Sequence, residues 1–208
     1  MTAIGGHAGR EVRAVLSDMS APLGRTVGNA IEVEEAVRCL RGEGPDDLRE
    51  LCLVLAGEVL AAAGLPHGRA ELEDAIGSGR AYERFERWVA AQGGDPRALG
   101  ALERAPDRWQ LRAARGGVVS RLDALAVGRA VGVLGGGRSR KGEAIDMGVG
   151  AELHAKVGEP VSAGEPLATL YHRGGRGLEA AQRLLTEAYA VGDEGAVMPL
   201  VLERGIGA

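Results

Sequence analysis

Residues 17–52 read SDMSAPLGRTVGNAIEVEEAVRCLRGEGPDDLRELC, and the order of elements in this stretch decides how the rest of the chain is read. Pro22, Gly24 and Gly28 punctuate its first part, so Ser17–Asn29 is expected as a loop. From about Ala30 the pattern turns helical. Val33, Ala36, Val37 and Leu40 share one stripe, and Gly42 follows the last turn. A second helix is framed by Pro45 in its first turn, by Asp46 and Asp47 at the positive end of the helix dipole, and by Gly64 beyond its end. Its Leu48, Leu51, Cys52, Leu55, Val59 and Leu60 recur at helical spacing, and Leu53 and Val54 widen the apolar face. That pattern predicts an interior helix. Just before the loop, Val12–Leu16 (VRAVL) is a short apolar run read as a buried strand. Periodicity by itself supports only this alternation of strand, loop and helices.

Two shorter, charged helices are expected near Ala70–Ile76 and Arg80–Ala91. After about Pro106 the texture changes. WQLRA (109–113), GVVSRL (117–122), GAELHAKV (150–157) and PLATLYH (166–172) read as strands between glycine turns, with helices at Ala124–Val133 and Leu178–Ala188. The shift places a boundary near residues 100–108, dividing the chain into 1–105 and 106–208. No internal repeat of 20–50 residues is present.

Composition removes several function classes. The chain has 208 residues, 45% of them apolar and 26% charged, so it can bury a core and is not disordered as a whole. A net charge of −4 and only 3% aromatic residues argue against nucleic acid as a partner. No apolar run approaches the roughly 20 residues of a membrane span, and no signal-peptide pattern opens the chain. Two cysteines outside any CxxC pair cannot build a disulfide framework, which makes the cytoplasm the expected compartment. Two features stand out. The 34 glycines are about twice the usual share, and Lys141 and Lys156 are the only lysines among 25 Lys+Arg.

The generic chemical signatures fail one by one. LGGGRSRKG (134–142) is not a phosphate loop, because Arg140 stands where a Walker A loop needs glycine and no Ser or Thr follows Lys141. It reads instead as a basic glycine turn between a helix and a strand. His7, His67, His154 and His172 lack the spacing that places two metal ligands on one helix face, and His154 reads as an ordinary strand histidine. Cys39 and Cys52 lie in apolar helices and are expected as buried small hydrophobes, not nucleophiles. AKVGEPVSAGEPLATLYHR (155–173) is similar to the half-repeat of biotinyl and lipoyl carrier domains. Those carriers present a modified lysine on a turn after this half-repeat, where this chain has Tyr171-His172-Arg173-Gly174. Lys156 is therefore not expected to carry biotin or lipoate.

The opening stretch resembles the pyrimidine-nucleoside phosphorylases of the thymidine phosphorylase type, whose signature runs close to T-D-M-x-x-P-L-G-x-x-V-G-N-A-x-E-V-x-E-A. Asp18, Met19, Pro22, Leu23, Gly24, Val27, Gly28, Asn29, Ala30, Glu32, Val33, Glu35 and Ala36 fit it. GEGPDDL (42–48), LGGGRSRKGEAIDMGVG (134–150) and AKVGEPVSAGEPLATLY (155–171) also look like the family, in the family's order. The resemblance covers essentially the whole chain.

The resemblance implies transfer of a (deoxy)ribosyl group from a pyrimidine nucleoside to phosphate, the family's co-substrate. Family members reach roughly twice this length, and their phosphate- and pyrimidine-binding residues lie in an amino-terminal half without counterpart here. Met1 looks like an entry into the interior of the family's long domain. The fold class implied is α/β: part of a mixed-sheet α/β domain with Val12–Leu16 as one of its strands, followed by an α/β-hammerhead and barrel-sandwich-like region. With strands of that sheet missing, the chain is expected to self-associate or to meet a separately encoded amino-terminal half. The alternatives are a non-catalytic scaffold or binding protein derived from the family, and a truncated product without activity. No catalytic or substrate-binding residue is assigned. One site carries over in part: a monovalent cation (K+ or Na+) held by the backbone oxygens of Leu23 and Thr26 and the carboxylate of Glu35, a hard-oxygen donor set that suits a hard cation. For Glu35 a solvated helix glutamate is the competing reading.

Overall fold

The computed structural model describes residues 2–65, 68–138 and 140–207. Along the chain, α1 (Thr2–His7) precedes β1 (Val12–Ser17), and the loop after β1 ends in a three-residue strand, β2 (Thr26–Gly28). Four helices follow: α2 (Ala30–Leu40), α3 (Asp46–Ala62), α4 (Arg69–Gly77) and α5 (Arg80–Ala91). Next come β3 (Asp107–Arg112), β4 (Gly117–Leu122) and α6 (Ala124–Val131), then a wide turn at 132–136. The chain continues through β5 (Gly150–Leu153), β6 (Pro160–Val161), β7 (Pro166–His172), α7 (Leu178–Ala188), β8 (Tyr189–Gly192) and β9 (Val201–Gly207). Periodicity located the helices at 30–40, 80–91 and 178–188 with these same bounds. It did not signal α1, β2 or β9, which are short or glycine-rich.

The chain packs as two compact units, one of residues 1–18, 38–94 and 198–208, the other of 19–37 and 95–197. They interleave because strand partners are far apart in sequence: β1 pairs with β9, and β2 with β5.

In the first unit β1 runs antiparallel to β9, from Val12 opposite Gly207 to Ser17 opposite Val201. All strand pairs among the described residues are antiparallel, so the chain is mixed α/β but does not itself form the mixed sheet expected around Val12–Leu16. β9 takes the place beside β1 as an antiparallel partner. β1 is only part-buried, and Leu16 stays 56% exposed. α3 likewise departs from the interior helix its pattern suggests. It buries Leu53 and Val54 while Leu55 and Val59 remain 44% and 66% exposed. An all-round apolar helix needs neighbours on all sides, and this unit supplies them on one.

The second unit holds the larger core. One sheet has the order β2-β5-β7-β3, the other β6-β4-β8. α6 and α7 pack together over a core in which Leu122, Leu134, Leu153, Leu170 and Leu185 are fully buried. Each such leucine contributes about 1.5–3 kcal/mol by leaving water. β2 is one of the two edge strands of its sheet, which puts the loop before it at the rim.

Candidate functional site

The loop 18–25 and the first turns of α2 meet at Glu35, a carboxylate buried to 3% exposure. Position 35 lies just over one helical turn beyond Ile31, itself a core residue, so the helix period turns both inward. The Arg25 amide donates to both Glu35 oxygens, at 3.0 and 3.1 Å. Gly24 makes this approach possible: its φ is +69°, and a Cβ there would lie 2.2 Å from Glu35 Oε2. Glu35 is thus no solvated helix glutamate. It is the buried anchor of the loop.

The β2–β5 register orients the other candidate ligands. Thr26 stands opposite Glu152, and the Leu153 amide donates to the Arg25 carbonyl at 2.7 Å. In an antiparallel ladder the bonded pairs alternate, so the Thr26 peptide groups point off the free edge of the sheet. The Thr26 side chain is buried, its hydroxyl near the Ile31 carbonyl at 3.4 Å. Leu23 lies on the loop at the margin of exposure. Leu23 thus lies on the loop, Thr26 at the start of β2 and Glu35 on α2 beneath the loop.

Three residues that sequence reasoning did not assign to this place complete it. Lys156 Nζ donates to the Gly24 carbonyl at 2.8 Å. The Arg25 guanidinium pairs with Glu159 and also donates to the His154 carbonyl at 3.1 Å. Glu159 Oε2 in turn accepts from the Lys156 amide at 2.9 Å. Burial pushes the Glu159 carboxyl up, but the Arg25 guanidinium and the Lys156 amide outweigh it and hold it below the usual range. The scarcity of lysine was the available signal for Lys156. Nothing local marked Arg25 or Glu159.

The start of α2 is held by its own side chains. Glu32 Oε1 accepts from the Gly28 amide at 2.8 Å, and Asn29 Nδ2 donates to the Gly136 carbonyl at 2.9 Å. Beside it opens a cavity of about 680 Å³, lined mainly by apolar groups of Val33, Ala36, Leu99, Leu102 and Met147, with Glu32 among them. Loss of water pushes the Glu32 carboxyl up, the Gly28 amide opposes, and the Glu35 charge adds to the rise.

The described part of the 134–142 stretch, which leaves out Ser139, lies between α6 and β5, with Arg138 Nε donating to the Glu143 carbonyl at 3.1 Å. His154 follows β5 and shares a hydrogen bond with Thr169 Oγ1 at 2.8 Å. His172 is buried at the end of β7, and His67 and Met1 lie outside the described residues. Cys39 is buried as expected, but Cys52 is exposed, on the uncovered side of α3. Partial loss of water pushes its thiol up, the opposite of an activated nucleophile. Among the described residues no three His, Cys, Asp or Glu side chains cluster to hold a metal, and no helix is long and apolar enough to cross a membrane.

Comparison with known proteins agrees with the resemblance. Residues 118–192 match the pyrimidine nucleoside phosphorylase C-terminal domain. The chain is 43% identical over 208 residues to the thymidine phosphorylase of Mycobacterium tuberculosis, covering 98% of this chain and 47% of that protein. It is 43% identical over 178 residues to the pyrimidine-nucleoside phosphorylases of Bacillus subtilis and Geobacillus stearothermophilus, covering 82% of this chain and 41% of each. The chain spans about half the length of the curated relatives it matches.

Proposed function

The chain belongs to the pyrimidine-nucleoside phosphorylase family as a carboxy-terminal portion, and we propose that it serves phosphorolysis of pyrimidine nucleosides only together with an amino-terminal half. The reaction would move a (deoxy)ribosyl group from the base to phosphate. It needs a positioned phosphate nucleophile and a stabilised leaving pyrimidine. The resemblance assigns both sets of binding groups to the amino-terminal half. The observation that carries this reading is the 43% identity spread over 98% of the chain, which includes the intact loop-to-α2 block. The β-rich unit would correspond to the family's hammerhead and barrel-sandwich region, and its two antiparallel sheets support that. In this reading Leu23, Thr26 and Glu35 hold one positive charge beneath the loop, a monovalent cation being the resemblance's candidate for it.

The partner would cover the apolar side chains left exposed in the first unit, Leu16 on β1 with Leu55 and Val59 on α3. The purified chain alone is expected to release no thymine from thymidine and no uracil from uridine in phosphate. Co-expression with the amino-terminal half of a relative is expected to restore release. Phosphorolysis by the chain alone would overturn the reading. Failure of every complementing half, with a neighbouring gene that encodes none, would favour a non-catalytic scaffold.

A further inference from the structure

We propose that the cleft beside the start of α2 is a binding site for a small organic cation, a primary ammonium carried on an aliphatic or aromatic body. The inference stands on the second unit's own geometry and does not depend on the catalytic reading. The cleft has a volume of about 680 Å³, within the range of small-molecule sites, and its walls are mainly the apolar groups of Val33, Ala36, Leu99, Leu102 and Met147. Both walls are tied in place. The Ala30 amide donates to the Met147 carbonyl at 3.0 Å, which fixes the first turn of α2 against the segment before β5. Leu99 sits in the turn Pro96–Gly100, capped by Asp95, whose carboxylate accepts from the Arg97 amide at 3.0 Å. Just past Leu102, Arg104 Nε donates to Glu34 on α2 at 2.9 Å, and the Ala105 amide donates to the Gly148 carbonyl at 2.8 Å. Val33 and Met147 nevertheless stay exposed. A cleft held open in this way keeps apolar surface in water until a ligand fills it.

Charge selects the occupant. Glu32 is the one charged side chain among the cleft's described lining residues. Its Oε1 accepts from the Gly28 amide at 2.8 Å, and no basic side chain among the described residues pairs with it. Its helix neighbour Glu34, by contrast, has Arg104. Loss of water pushes the Glu32 carboxyl up; the Gly28 amide opposes this, and the Glu35 charge adds to the rise. A carboxylate so placed gains from a cation that brings its own apolar surface. The apolar walls take the body of the ligand and Glu32 takes the ammonium. The same carboxylate repels anions, so neither phosphate nor a sugar phosphate suits the cleft.

The probe for the test is hexylammonium at neutral pH, with hexanol and hexanoate as its neutral and anionic counterparts. The readout is the methyl spectrum of the full chain carrying carbon-13 at its four methionine methyls, with the Met147 signal identified by Met147→Leu. Hexylammonium is expected to shift the Met147 methyl saturably and to leave Met198, which belongs to the other unit, in place. Hexanol and hexanoate are expected to bind about tenfold more weakly or less. Glu32→Gln keeps an acceptor for the Gly28 amide and is expected to weaken hexylammonium about tenfold while leaving hexanol unchanged. No saturable shift up to the solubility of the probe would overturn the site. Equal binding of hexylammonium and hexanol, or full binding by Glu32→Gln, would refute the cation. Movement of the Met147 signal with chain concentration alone would give the cleft to a second copy and overturn the proposal as well. Should Glu32→Gln fail to fold, the three probes on the natural chain still decide.

Discussion

Glu35 and Gly24 show how much one residue pair can organise. Glu35→Ala would leave the Arg25 amide without its acceptor in a buried place, a loss of about 1–3 kcal/mol that the urea midpoint of the chain would register. Gly24→Ala is expected to cost more than an ordinary surface change. The left-handed backbone alone costs a non-glycine residue roughly 1–2 kcal/mol, and the new methyl would strike Glu35 Oε2. Asp146 gives a pH signature. The Arg173 guanidinium, hydrogen-bonded at 2.9 Å, holds its carboxyl below the usual range, with burial opposing and the Gly148 amide assisting. The folded value lies below the unfolded one, so this stabilisation is complete above the unfolded carboxylate range and is lost as pH falls through the folded value. Asp146→Asn should therefore lower the urea midpoint near neutrality, and the difference from the natural chain should vanish as pH falls through the folded value. The motif made Glu35 a candidate, but a glutamate on a helix reads equally well as solvated. Its burial follows from which way α2 is rolled, and only packing determines that.

At the scale of elements, helices were the most legible because their punctuation is local. α6 is an example: Asp123 at its start accepts from the Ala126 amide at 2.8 Å, an orphan donor of the first turn. Asp123→Ala is expected to cost about 1 kcal/mol, read from the thermal midpoint. The core beneath is more sensitive. Leu185 on α7 is fully buried, and Leu185→Ala should cost roughly 2–5 kcal/mol. Strand runs were also found, but not their partners. Nothing in VRAVL says that its neighbour will be the distant VLERGIG of β9, since pairing is a long-range contact. β2 escaped notice because three residues between two glycine-rich turns show no alternation to read.

For the molecule as a whole the exposed apolar groups of the first unit are the feature with consequences. Val59 is 66% exposed, so Val59→Asp should leave the stability of the isolated chain within about 0.5 kcal/mol. The same change is expected to abolish self-association or capture of an amino-terminal half, followed by light scattering over a range of concentrations. Unchanged association would move the interface elsewhere. The sequence by itself determined the family, the order of strands and helices, and the lack of generic catalytic signatures, because these rest on motifs and periods confined to neighbouring residues. Tertiary structure alone decided that the chain interleaves into two units, that α3 is covered on one side, and that Lys156 reaches Gly24 across more than a hundred residues of chain. Contacts between distant segments are chosen by which faces can be buried together, and that sum over the folded chain is not written in any local stretch of it.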